Sequence, residues 1–77
     1  MTATIELSTG ELRSLHAYAT ADPGIPLGQD RRMFERLRKR GLVVGSVAYN
    51  SAGEPYGVIK VTPRGREILQ QAKMLPP

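Results

Sequence analysis

The chain has 77 residues, no cysteine and a formal net charge of +4, from 11 basic and 7 acidic residues. This length allows one domain, and the lack of cysteine excludes disulfides and zinc sites that use thiolates. Small domains often depend on oligomerisation to complete their core, so we expect a homodimer. The absence of a long apolar run and of a signal-peptide pattern predicts a cytoplasmic protein.

The N-terminal part predicts a helix over residues 9–20. Ser8 and Glu11 have capping-box spacing, and apolar residues repeat at helical intervals after them. Before this helix, residues 2–7 predict either an edge strand or an ordered lead-in. An Asp-Pro-Gly turn ends the helix, and residues 21–29 have room for at most one further helical turn.

A strongly basic segment follows over residues 30–40 and carries the whole net charge of +4, because the remaining residues balance to zero. Its composition predicts a helix that begins after Gly28 or Asp30. Such a charge run is either an ordinary solvated helix face or a binding surface. Phe34 and Leu37, with Met33 beside them, form the predicted apolar face. The predicted cationic ridge on the opposite face consists of Arg32, Arg36 and Lys39.

The pattern changes to period two after Gly41, which is expected to end the basic helix. Residues 42–49 and 56–61 predict two strands joined by a polar loop, a β-hairpin. Tyr49 and Tyr56 stand almost symmetrically about this loop. We therefore expect the two tyrosines to face each other across the hairpin.

The C-terminal part predicts a last helix with Thr62 as N-cap and Pro63 at its first position. This helix extends to about residue 73, and residues 74–77 are expected to be a loose tail. Its apolar residues are a further reason to expect a homodimer. The predicted order is helix, basic helix, two-stranded hairpin and helix, a small α+β domain over residues 1–77.

Two segments flank this hairpin, Phe34-Glu35-Arg36-Leu37-Arg38-Lys39-Arg40-Gly41-Leu42-Val43 and Val61-Thr62-Pro63-Arg64-Gly65-Arg66-Glu67-Ile68-Leu69. Together they resemble the recognition-helix end and the last-helix start of winged helix-turn-helix proteins, among them MarR-like regulators and small phage-type members. The resemblance covers about residues 30–70. It implies a winged helix with a truncated helix-turn-helix, since residues 21–29 replace a whole helix of that fold.

The resemblance further implies a DNA-binding transcriptional regulator whose basic helix enters the major groove. The wing tip over residues 50–55 departs from the family pattern, because it has one acid and no basic residue. This tip would have to touch DNA through Asn50 or Ser51, or stay off it. The implied contacts are groove contacts by Arg31, Arg32, Arg36 and Lys39, phosphate contacts by Arg38 and Arg40, and contacts beside the wing by Lys60, Arg64 and Arg66.

Enzymatic functions are disfavoured by the residue content. The chain has no cysteine nucleophile, one histidine at position 16 and no glycine-rich phosphate loop. We therefore expect no catalytic residue, no cofactor and no metal. The alternative to DNA binding is a protein–protein interaction module, either an adaptor or a mobile-element protein that binds host machinery. Its candidate anchors are Tyr18, Tyr49 and Tyr56, because tyrosine is enriched at interfaces. The favoured alternative for these tyrosines is core or cross-strand packing.

Overall fold

The computed structural model describes residues 7–22 and 24–75. These residues form a small α+β structure, which confirms the predicted class and element order. The prediction for residues 2–7 lies outside the described residues, except at Leu7. In chain order the elements are α1 (Thr9–Thr20), β1 (Ile25–Pro26), a 3-10 turn (Leu27–Gln29), α2 (Arg31–Lys39), β2 (Val43–Tyr49), β3 (Pro55–Val61) and α3 (Pro63–Gln71).

The capping box of α1 is confirmed. The Glu11 backbone N–H donates to the Ser8 hydroxyl oxygen at 3.1 Å, and the Glu11 carboxylate accepts from the Ser8 backbone N–H at 3.0 Å. Both bonds satisfy amides that the first helical turn leaves without backbone partners. Leu15 and Tyr18 of this helix lie in the core. Tyr18 is therefore a core residue and not a surface anchor.

The connection between α1 and α2 contains a short strand whose pairing with the hairpin the sequence analysis did not predict. The predicted two-stranded hairpin is part of a three-stranded antiparallel sheet with the strand order β1-β3-β2. Ile25 pairs with Ile59 and Pro26 with Val58. Two residues are too few for a periodic signal, and proline is tolerated because β1 is an edge strand. The single 3-10 turn that follows confirms that only one helical turn fits in this connection.

The hairpin has a continuous register from the pair Val43 and Val61 to the pair Tyr49 and Pro55. Tyr56 pairs with Ala48, so Tyr49 and Tyr56 lie on opposite faces of the sheet, since successive strand residues alternate. The expectation that they face each other is wrong. The loop has an odd number of residues, 50–54, so its midpoint is one residue and not the space between two residues.

The base of the hairpin is joined tightly to the start of α3. The Thr62 hydroxyl donates to the Gly41 carbonyl oxygen at 2.7 Å and accepts from the Gly65 backbone N–H at 3.1 Å. The Thr62 backbone N–H donates to the Leu42 carbonyl oxygen at 3.0 Å. Gly65 is buried at this seam, where a Cβ atom would lie 2.4 Å from the Leu42 carbonyl oxygen. Only glycine lets α3 begin this close to the hairpin.

One continuous apolar core connects the helices to one face of the sheet. It combines residues of α1 and α3 with the apolar face predicted for the basic helix, and the strands supply the other side. Met33 and Ile68 are partly buried against it. The buried members are Leu15, Tyr18, Phe34, Leu37, Leu42, Val43, Ile59 and Leu69.

Glu11 makes the stability of the domain depend on pH. The hydrogen bond from the Ser8 backbone N–H, helped by the charges of Arg40 and Arg36, holds the pKa of the buried Glu11 carboxyl below its ordinary 4.5, although burial opposes this. A carboxyl group whose pKa is lower in the folded than in the unfolded state stabilises the fold at pH values above its unfolded-state pKa. This stabilisation is lost as the pH falls through the folded-state pKa. We expect the free energy of unfolding to fall between about pH 5 and pH 3.

Urea denaturation at a series of pH values measures this effect. Glu11→Gln is expected to remove most of the loss of stability on acidification. Glu67→Gln is the matched control, because Glu67 is exposed on α3. Equal pH dependence in the two variants would show that Glu11 is not responsible.

Candidate nucleic-acid interface

The charged face of α2 lies opposite a face of the same helix that packs into the core. Phe34 and Leu37 are buried, which confirms the predicted apolar face. Arg32, Arg36 and Lys39 are all exposed. The ridge is therefore rigidly held and open to solvent. α2 itself contains five basic residues, Arg31, Arg32, Arg36, Arg38 and Lys39, and Arg40 follows as its C-cap.

The start of α2 is held by a contact with α1. Asp30 is the N-cap by position, yet its side chain makes no capping hydrogen bond. Its carboxylate instead accepts a hydrogen bond from the Tyr18 hydroxyl at 2.5 Å. Burial of the phenol, together with this bond to Asp30, raises the pKa of Tyr18 far above its ordinary range. Tyr18 therefore stays a neutral donor and links α1 to the N-cap residue of the cationic helix.

The end of α2 is set by Gly41, as predicted. Gly41 has a φ of 75°, in the left-handed region that glycine adopts without strain. Its N–H donates to the Arg38 carbonyl oxygen at 2.9 Å, and the Leu42 N–H donates back to Leu37 at 3.1 Å. The chain reverses there, so Leu42 and Val43 return to the core.

Two of the basic residues form ion pairs with carboxylates. Glu35 accepts from the Arg38 guanidinium at 3.2 and 2.8 Å, and this pairing holds the pKa of Glu35 below its ordinary range. A guanidinium nitrogen of Arg40 lies 3.8 Å from the Glu11 carboxylate. Within residues 7–22 and 24–75, no ion pair joins the ridge of Arg32, Arg36 and Lys39 to an acid. The ridge residues therefore differ from Arg38 and Arg40, which each have a carboxylate within 4 Å.

The three predicted contacts outside α2 fall into two groups. Arg64 and Arg66 are exposed on either side of Gly65, at the seam where α3 meets the hairpin base. Thr62 joins this start of α3 to Gly41, just after α2. Lys60 pairs with Val44, so it lies on the sheet face opposite to that of Ile59 in the core.

The hairpin tip is closed by its own hydrogen bonds. The side-chain oxygen of Asn50 accepts from the backbone N–H groups of Ala52 and Glu54, both at 2.9 Å. Its amide nitrogen donates to the Glu54 carboxylate at 3.3 Å. The Asn50 side chain is therefore used inside the loop. The tip offers the Ser51 hydroxyl and an acidic group, and no positive charge.

The sequence reasoning missed exposed apolar side chains on β2. Val44, Val47 and Tyr49 have exposed fractions of 47, 60 and 68%. Val47 and Tyr49 share one face of the sheet and Val44 lies on the other, since successive strand residues alternate. β2 also stands at the edge of the sheet, with β3 as its neighbour on one side. The signal for this exposure was present as the 13 uncharged residues 41–53, the longest such run in the chain.

Residues 7–22 and 24–75 contain no group of three or more histidine, aspartate or glutamate side chains placed to hold a metal ion. Among the helices described, none is both long and apolar enough to cross a membrane. Comparisons with protein-family models, with curated proteins and with solved structures gave no match to this chain.

Proposed function

We propose that this protein is a small winged-helix DNA-binding protein, a transcriptional regulator, that uses α2 as its contact element. The observation that carries the proposal is the exposed ridge of Arg32, Arg36 and Lys39 on a helix anchored through Phe34 and Leu37. The order of a basic helix, a β-hairpin and a closing helix supports the winged-helix assignment. The two-residue strand β1 beside β3 supports it further.

The chemistry of the ridge suits duplex DNA. An α-helix fits the major groove, where arginine side chains pair with guanine edges and lysine neutralises phosphates. The segment of residues 30–40 carries a net charge of +4. Arg31 adds a positive charge at the first position of α2, and Arg64 and Arg66 add two more in the first turn of α3. Arg38 and Arg40 lie beside this surface and remain paired with carboxylates. Lys60 lies outside the surface.

Fluorescence anisotropy of a labelled random duplex, repeated over a series of salt concentrations, tests the proposal. With about four to six phosphate contacts, the logarithm of the binding constant should fall against the logarithm of salt with a slope near −4 to −5. We expect micromolar binding at low salt with this slope. No binding at about 50 mM salt, where non-specific contacts are strong, would overturn the proposal.

The lack of basic residues at the hairpin tip favours a second candidate function, which applies if the protein does not bind DNA. A tip that lacks basic residues and exposes Glu54 is poorly suited to binding DNA phosphates. The competing function is a protein–protein interaction module, in which the same ridge binds an acidic protein. Affinity capture from an extract separates the two functions, because only a protein partner is retained after nuclease treatment.

A further inference from the structure

We propose that the free edge of β2 pairs in antiparallel fashion with β2 of a second copy of this chain. The two three-stranded sheets would then join into one six-stranded sheet across a two-fold axis. This inference does not rest on DNA binding, and its test uses no DNA. It also differs from a dimer made through the last helix, because the contact lies on the sheet.

The backbone of β2 is prepared for such pairing. Leu42 and Asn50 both hydrogen-bond to the β3 side, to Thr62 and Glu54 respectively. Because antiparallel strands alternate, the residues at even positions between them direct their backbone groups to β3. Those at odd positions direct theirs outwards. Within the part of the chain that the structure describes, no segment pairs with this outer edge. The residues with outward backbone groups are Val43, Gly45, Val47 and Tyr49.

Solvent reaches this edge directly. Gly45 has no side chain and is exposed, so its exposure is exposure of the backbone itself. Natural proteins usually protect such an edge with charged residues, proline, a bulge or a covering segment. β2 contains no charge and no proline, and its register with β3 is continuous. An unprotected edge seven residues long is typical of a strand that has a partner.

A second copy is the partner that fits the side chains of this edge. With the two-fold axis at Val47, each Val47 meets its own copy and each Tyr49 lies over Gly45 of the partner strand. An aromatic ring over a cross-strand glycine covers its exposed backbone. The pairing therefore covers the two most exposed large apolar residues in the described part of the chain, at 60 and 68%.

Charge favours the same occupant. The net charge of +4 of each copy lies in residues 30–40, so a contact between copies through α2 would bring two basic surfaces together. The uncharged run of residues 41–53 avoids this, because no charged side chain of one β2 faces a charged side chain of the other. Like charges directly opposite each other destabilise a strand pair. β2 is therefore a surface on which two copies can meet without repulsion between facing side chains.

Sedimentation equilibrium of the DNA-free protein, from low to high micromolar concentrations, is the first test. We expect a species of twice the 8.4 kDa chain mass. Val47→Lys places two charges opposite each other at the axis and should raise the dimer dissociation constant at least about tenfold. Its folding is checked by circular dichroism and is expected to be retained, because Val47 is exposed. A wild-type monomer throughout, or a folded Val47→Lys variant with unchanged dimerisation, would overturn the proposal.

Disulfide formation tests the register and does not depend on the lysine variant. The chain has no cysteine, so Val47→Cys carries a single thiol. In a hydrogen-bonded antiparallel pair the two Cα atoms are about 5.5 Å apart, within disulfide range. Under glutathione buffer we expect about tenfold more covalent dimer than for Gln70→Cys, since pairing raises the effective thiol concentration. Gln70 is exposed on α3 and reports a dimer through that helix. Equal cross-linking, or more from Gln70→Cys, would overturn the β2 interface.

Discussion

Replacement of Gly65 by alanine is expected to lower the free energy of unfolding by about 3 kcal/mol, a large share of the stability of a small domain. The new Cβ atom would lie 2.4 Å from the Leu42 carbonyl oxygen and 2.6 Å from a Val61 methyl carbon. The first of these is a backbone atom that already accepts a hydrogen bond from Thr62. Relief therefore requires α3 to move away from the hairpin base, which disrupts the core contacts of Leu69.

The direction of the stability change on Gly65→Ala distinguishes the close contact at Gly65 from an effect of helix propensity. Alanine normally stabilises a helix by about 0.5–1 kcal/mol relative to glycine. Gly10→Ala is the matched control, because Gly10 lies in α1 and its Cβ would meet nothing closer than 4.0 Å. Urea denaturation should show Gly10→Ala at least as stable as the wild type and Gly65→Ala far less stable. A Gly65→Ala variant of wild-type stability would mean that the seam is looser than described.

The triple variant Arg32→Ala, Arg36→Ala and Lys39→Ala is expected to lose DNA binding almost completely. Each phosphate contact contributes about −0.9 to the salt slope, so three lost contacts should make it shallower by about 2.7. Affinity at low salt should fall by about 10²–10³-fold. The ridge is exposed, so the thermal midpoint should stay near that of the wild type. Anisotropy titrations over the same salt series measure both quantities.

A second triple variant, Arg13→Ala, Lys60→Ala and Lys73→Gly, controls for total charge. It removes three positive charges, one from α1, one from the far face of the sheet and one from the second residue after α3. Glycine is used at position 73 because Lys73 has a φ of 60°. We expect this variant to keep most of the affinity and of the salt slope. Equal losses in both variants would show that net charge alone, and not the ridge, attracts DNA.

The helices could be predicted from the sequence because their signals are local. The capping box at Ser8, the stop at Gly41 and the start at Thr62 each involve residues within a few positions of one another. The sheet was predicted less well. The pairing of β1 with β3 joins residues far apart in sequence, and the faces of Tyr49 and Tyr56 depend on the hairpin register. Neither is encoded in hydrophobic periodicity.

The candidate site was predictable to a similar extent. Helical periodicity alone places Arg32, Arg36 and Lys39 opposite Phe34, and this arrangement is confirmed. Lys60 is separated from α2 because it lies on the sheet face opposite the core. Assigning that face requires the strand pairing, which the sequence does not provide. The bond from Tyr18 to Asp30 could not be predicted, since both side chains have other plausible roles in their own helices.

The closed hairpin tip has a consequence for how this protein can diversify. Residues 50–54 are all exposed and bonded among themselves, so the tip can be lengthened without changing the core. Doubling a flexible loop costs only about 0.6 kcal/mol of closure entropy. The base of the hairpin has no such freedom, because Thr62 and Gly65 hold residues 41–42. Natural variation in chain length is therefore expected at the tip, where insertions change the reach of the hairpin and leave the orientation of α2 unchanged.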